Sequence, residues 1–268
     1  MFDILGYILA IVIGFTLGLI GGGGSILTVP VLVYLLGINP ILATAYSLFI
    51  VGATSTIGAL DYMKKGLLSY KTAIVFAVPS FIAVYLTRKI LLPAVPQEIA
   101  STGDFILTKP IALMLFFAVI MLFSGVSMIR SAKKIGTAPA YISKNFNYPL
   151  ILIEGAIVGV ITGLVGAGGG FLIIPALVLL GKLPMKLAVG TSLFIIAVKS
   201  LIGFLGDVGT QDINWRFLLL FTLFSILGIF VGSYTSKLIE GPRLKKGFGW
   251  FVLIMAIYII VKESLLLG

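Results

Sequence analysis

Long apolar runs separated by short polar punctuation set the pattern of this chain. The runs cover about 4–37, 41–60, 72–92, 110–130, 149–182, 186–206, 216–236 and 247–266. Between them stand Asp61 to Lys65, Pro93 to Lys109, Arg130 to Tyr148, Asp207 to Arg216 and Lys237 to Lys246. Most runs match the roughly 20 residues a helix needs to cross a hydrocarbon layer about 30 Å thick. Two do not. The runs 4–37 and 149–182 would each make a helix about 50 Å long, too long for one crossing. Each is interrupted by glycines: Gly21-Gly22-Gly23-Gly24-Ser25 in the first, Gly166-Ala167-Gly168-Gly169-Gly170 in the second. Each is therefore predicted to be a helical hairpin or re-entrant pair. Residues 4–20 carry neither the basic start nor the cleavage site of a secretory signal, so a retained membrane helix is expected there.

The two glycine-broken regions are copies of each other. Gly18–Leu60 aligns with Gly163–Leu205 without a gap, and roughly 20 of about 43 positions are identical. The matches include Gly21/Gly166, Gly23/Gly168, Gly24/Gly169, Pro30/Pro175, Ser47/Ser192, Ser55/Ser200 and Gly58/Gly203. Repeat one is expected over about 1–135 and repeat two over about 145–268. If each broken segment makes no net crossing, the basic loops 61–71, 130–148 and 237–246 share one side. The loops 93–108 and 207–216 then fall opposite. Positive-inside places the basic loops in the cytoplasm. The charges thus predict an all-α polytopic membrane protein with two inverted-topology repeats of about five helical segments each.

Composition agrees with a lipid-facing surface: 60% of residues are hydrophobic and 10% charged, where soluble domains carry about a quarter charged. The net charge of +10 raises nucleic acid as a partner. The basic residues are scattered between apolar runs, however, which fits membrane loops and excludes a nucleic-acid stripe. With no cysteine and no histidine, disulfides, thiolate nucleophiles, imidazole bases and the usual zinc sites are excluded, and no cofactor is expected.

Chemistry concentrates at the breaks. A glycine run inside a membrane unwinds the helix and leaves N–H and C=O groups that only protein, water or substrate can satisfy. The helices restarting at Ile26 and Phe171 would present free N–H groups and a positive dipole end, an anion site made from backbone. Isolated spacings such as Gly155, Gly159 and Gly163 read as helix packing instead. The following helices carry small polar residues on one face: Thr44, Ser47, Thr54, Ser55 and Gly58 in the first copy, Ser192, Lys199, Ser200 and Gly203 in the second. Their hydroxyls could serve an anion or their own helix backbone. Lys199 lies too deep to reach water. It is either a cation that attracts substrate or half of a structural pair with Asp61, Glu154 or Asp207. Glu154 and Asp61 are candidates for ion coupling, and Trp215, Trp250, Tyr148 and Tyr258 for interfacial anchors.

Two copies of Gly-x-Gly-Gly-Gly/Ser followed by an apolar run and Pro resemble the TauE/SafE sulfite exporter family. The stretches are Gly18 to Pro30 and Gly163 to Pro175, with Ala188-Val189-Gly190-Thr191-Ser192-Leu193 after the second. The resemblance spans nearly the whole chain. It implies transport of sulfite or organosulfonates across the cell membrane, driven by ion gradients or membrane potential. It carries Gly23, Gly24, Ser25, Gly168, Gly169 and Gly170 over as substrate contacts, with Thr191 and Ser192 second. Ala45-Tyr46 stands where the second copy has Gly190-Thr191, against strictly symmetric sites. A secondary transporter is thus expected, with a small anion and the lipid bilayer as partners. A passive channel, a membrane enzyme and a non-transporting subunit are the other classes. A second copy of the chain is a compatible partner, since lipid-facing and subunit-facing surfaces are alike apolar.

Overall fold

The computed structural model describes residues 2–102, 105–132, 148–179, 183–235 and 241–265. The first half contains α1 (Phe2–Ile20), a 3-10 segment (Gly21–Leu27), and α2 (Thr28–Pro30) running into a π-helical turn (Val31–Leu35). α3 (Pro40–Lys64) and α4 (Tyr70–Leu86) follow, the latter continued by a π turn (Thr87–Leu91) and α5 (Leu92–Ala94). A hairpin of β1 (Glu98–Thr102) and β2 (Phe105–Thr108) leads to α6 (Lys109–Ala132). The second half contains α7 (Tyr148–Val165), α8 (Gly170–Leu179), α9 (Met185–Leu205), α10 (Trp215–Thr235) and α11 (Gly241–Leu265).

The chain is mostly helical, as expected. The hairpin is a departure from the all-α reading: Ile99, Phe105, Ile106 and Thr108 favour extended backbone, and they outweigh the loop signal of Glu98. Among the described residues, five helices are long and apolar enough to cross a membrane, over Pro40–Lys64, Tyr70–Ala94, Lys109–Arg130, Lys186–Leu205 and Trp215–Thr235. Shorter apolar helices cover Ile4–Ile20, Gly24–Leu35 and Pro149–Val165. Together they make a multi-pass membrane protein. Much of the basic loops, residues 133–147 and 236–240, lies outside the described residues, as does the side chain of Tyr148.

The surface is that of a protein solvated by lipid. On α4, Ile74, Val78, Ile82 and Leu86 repeat every fourth residue and are 43–56% exposed. On α10, Leu219, Leu223, Leu227 and Val231 do the same at 51–56%. A four-residue stripe stays on one helix face, and water would not tolerate two such stripes in a monomer. Each α10 position lies 145 residues beyond its α4 counterpart, the offset that relates Gly18 to Gly163. Trp215, Trp250 and Tyr258 are likewise about half exposed.

Packing repeats when the halves are exchanged. α1 lies on α10 as α7 lies on α4; α10 lies on α3 as α4 lies on α9; α3 with α9 and α6 with α11 pair across the middle. Glycines set both outer contacts. A Cβ on Gly18 would stand 2.6 Å from the Ser233 nitrogen, and one on Gly159 would stand 2.5 Å from the Ser80 carbonyl oxygen. Such approach is how small residues bind helices together in lipid.

The first broken run doubles back on itself. Gly24 packs on the backbone of Thr16 and Leu17, and Leu36 returns to within 3.8 Å of where a Cβ on Gly6 would stand. In a straight helix Gly6 and Leu36 would be about 45 Å apart. Asn39 then caps α3, its Oδ1 accepting from the Ile41 N–H at 3.0 Å with Pro40 in the first turn. At one end of the molecule the Asn214 N–H donates to Tyr46 Oη (2.7 Å), and Tyr34 Oη donates to Glu263 Oε1 (2.6 Å). At the other, the Ser69 N–H donates to Thr191 Oγ1 (3.0 Å).

Candidate anion site at the glycine breaks

The two breaks are built differently. In the first, the 3-10 turns run on through Gly21–Leu27, where Gly21 has a positive φ (68°) and Gly22 and Gly24 do not. Gly23 lies inside this turn, and Ser25 is buried with its Oγ donating to the Gly22 carbonyl at 2.8 Å. The second break is unwound. Gly166, Gly168 and Gly169 have φ of 72°, 62° and 74°, a left-handed path costing about 1–2 kcal/mol per residue for any side chain with a Cβ. α7 ends where the Gly166 N–H donates to the Thr162 carbonyl (2.8 Å). α8 begins on the Gly169 carbonyl, which accepts from Leu172 and Ile173. Among the described residues, the Gly170 and Phe171 N–H groups find no backbone acceptor. The expectation of an unwound helix with spare N–H groups therefore holds in the second half. In the first, the turns tighten instead of opening.

The breaks touch. A Cβ on Gly170 would collide with the Gly22 carbonyl, and one on Gly22 would stand 2.9 Å from Gly170 Cα. Ser25 Oγ lies 3.3 Å from the Cβ position of Gly168. Gly22, Ser25, Gly168 and Gly170 thus form one contact between the halves, which α3 and α9 flank through Val51 and Ile196.

Lys199 reaches this contact from α9. It is 1% exposed, its Nζ donates to Thr162 Oγ1 at 2.7 Å, and it sits 2.9 Å from the Cβ position of Gly169. Thr162 Oγ1 in turn donates to the Gly159 carbonyl at 3.3 Å. The carboxylates considered as partners are engaged elsewhere or remote. Asp61 pairs with Lys65 near the exposed end of α3, Asp207 pairs with Arg88, and Glu154 is half-buried on α7. Among the described residues no carboxylate pairs with Lys199. Among the described residues the ammonium thus has one neutral acceptor and no opposite charge, and taking a lone charge out of water costs several kcal/mol.

Facing helices add unspent hydroxyls. Ser47, Thr54 and Ser55 on α3 and Ser200 on α9 are buried without a hydrogen-bond partner. Thr54 is the positional counterpart of Lys199, so positive charge enters from the second half alone. Ser192 Oγ lies 3.5 Å from the Cβ position of Gly22, with its proton given to the Val189 carbonyl (2.8 Å). Thr191 is spent on the Ser69 N–H, which fastens the α3–α4 turn, and is not brought to the breaks.

Three features went unread in the sequence: Thr162 as the acceptor for Lys199, Gly22 as a contact point, and Arg88 paired with Asp207. Burial pushes the Asp207 carboxyl up to about 6, with a smaller opposing pull from Arg88. The only signal for Thr162 was its place four residues before the break. Replacing Thr162 with Val is expected to raise KM for the transported anion about tenfold, the worth of a hydrogen bond to a charged group. Ser at 162 keeps the hydroxyl and should stay within about threefold of wild type in the same initial-rate assay.

The chain is similar in sequence to known proteins over almost its whole length. The sequence model of the Sulfite exporter TauE/SafE family matches residues 7–259. A probable membrane transporter protein of Xylella fastidiosa is 29% identical over 254 residues, covering 92% of this chain and 91% of its own. The probable membrane transporter protein YunE of Bacillus subtilis is 27% identical over 274 residues, covering 96% of each chain. No solved structure matches. With the glycine breaks, the duplicated halves and a match across almost its whole length, the chain belongs to the TauE/SafE sulfite exporter family of membrane transporters.

Proposed function

We propose that the protein is a secondary transporter that carries a small sulfur oxyanion, sulfite or an organosulfonate, between two inverted repeats. One observation carries this: the buried Lys199 ammonium beside the unwound Gly168–Gly170 segment, with no carboxylate to pair it among the described residues. An anion there would meet the ammonium and the Gly170 and Phe171 N–H groups, which lack a backbone acceptor among the described residues, while the flanking α3 and α9 carry the unpartnered hydroxyls of Ser47, Thr54, Ser55 and Ser200. Two or three hydroxyls and N–H groups around one cation suit a tetrahedral or pyramidal oxyanion.

The inverted repeat is supported by packing that survives exchange of the halves, and by Tyr46 meeting Asn214 at one end while Ser69 meets Thr191 at the other. Those pairings set loops 37–39 and 207–214 against the basic 61–71 loop, as the inverted topology requires. Alternating access is supported by the difference between the ends. A crevice lined by Ile57, Gly58, Asp61, Ile229 and Ser233 opens between α3 and α10, whereas Arg88 and Asp207 fill the matching place between α9 and α4. On this reading, with the basic loops in the cytoplasm, the place filled by Arg88 and Asp207 is the outer side.

The test is uptake of labelled sulfite into liposomes holding the purified protein, under imposed pH, sodium or voltage gradients. Saturable uptake, competed by sulfoacetate, is the expected result. Ohmic single-channel current would replace the transporter with a passive channel, and no uptake under any gradient would sink the cargo assignment.

A further inference from the structure

Arg88 is as completely buried as Lys199. Its side chain is 0% exposed, in the π turn Thr87–Leu91 that widens α4. Such single wide turns recur at functional sites. The guanidinium has five N–H donors, yet its Nε stands 3.3 Å from Asp207 Oδ2, and Nη1 and Nη2 have no acceptor. A carboxylate that owned this group would take two parallel bonds at about 2.7–2.9 Å. Asp207 makes one long contact and leaves the fork open.

The position fits a route. Lys199, Gly203 and Asp207 recur every fourth residue along α9 and its C-terminal turn, so the two charged positions lie about 12 Å apart on one face. Thr87, beside Arg88, packs on Gly163, three residues before the second break. Between the two cations, Val84 and Leu48 close over Gly203. The positions equivalent to Lys199, Asp207 and Arg88 are Thr54 and Tyr62 in the first half and Ser233 in the second, none of them charged, so exchange of the halves gives Lys199 and Arg88 no matching pair of cations.

We propose that Arg88 is a second anion-binding station, which a small oxyanion moving between Lys199 and the 207–216 end occupies by displacing Asp207 from the guanidinium. This rests on the anion-transport reading but is tested without the cargo. The chain has no cysteine, so a single introduced thiol has no background. Arg88→Cys combined with Asp207→Asn removes both charges and avoids a buried carboxylate left alone. In intact cells, an impermeant sulfonate thiol reagent should modify position 88 about tenfold faster than its trimethylammonium counterpart, the focusing expected near a buried cation. Adding Lys199→Met should abolish that preference. Equal rates, or no labelling of protein that purifies as a single native species, would overturn the station and leave Arg88 and Asp207 a structural pair. Sulfite uptake by the wild type reads the other claim separately. Labelling without uptake keeps the station and sinks the cargo, while uptake without labelling does the reverse.

Discussion

Gly170→Ala is expected to abolish transport, with no change at any charged or hydroxyl group. The added methyl carbon would enter the Gly22 carbonyl group, which is backbone and cannot swing aside. Overpacking of this kind costs about 1–3 kcal/mol, and more where both neighbours are backbone. The relief available is to separate the breaks, one of the contacts through which the halves meet. A fall in uptake of at least tenfold, with a lower melting temperature, is therefore expected. Gly247→Ala is the control: nothing lies within 4 Å of its Cβ position, and it should behave as wild type. Full uptake by Gly170→Ala would mean that the contact between the breaks does not govern transport.

Lys199→Met should separate function from stability. If the ammonium waits for an anion, the empty protein bears the cost of a buried charge whose one acceptor among the described residues is Thr162. Met fills a similar volume and removes that cost, so the melting temperature should rise, by the equivalent of about 1–4 kcal/mol. Anion transport should fall about 100-fold, the loss of one buried charge interaction of about 3 kcal/mol. A structural role predicts the opposite sign for stability, because deleting half of a needed pair destabilises. Melting curves and uptake rates on one preparation give both answers.

Much of the architecture was legible because membranes allow few solutions. Helix spans followed from apolar runs, and the breaks from glycine runs that no straight helix would keep. In the second copy Gly166, Gly168 and Gly169 take a backbone path that side chains resist, and in the first Gly24 packs directly on the backbone of Thr16 and Leu17. The asymmetry of the breaks was not legible. Gly21-Gly22-Gly23-Gly24 reads like the second run, yet a 3-10 turn accommodates it with a positive φ at Gly21. Nor was the meeting of Gly22 with Gly170, since Gly22 aligns with Ala167 and the contact joins distant parts of the chain. Lys199 was legible as a charge too deep for water, but its partner was sought among carboxylates. A threonine on a facing helix leaves no mark in a sequence, because mid-helix hydroxyls are common and mostly bond their own backbone. The burial of Arg88 was not legible either, since a cation near the end of an apolar run can snorkel to water, whereas this one is buried within the π segment.

The most direct test of the central claim is calorimetric titration of sulfite into the purified protein in lipid nanodiscs, for wild type, Lys199→Met and Lys186→Met. Lys186 is exposed at the start of α9 and serves as the charge control. One saturable site present in wild type and Lys186→Met and absent in Lys199→Met is the predicted result. Equal sulfite binding by all three would contradict an anion site between the glycine breaks.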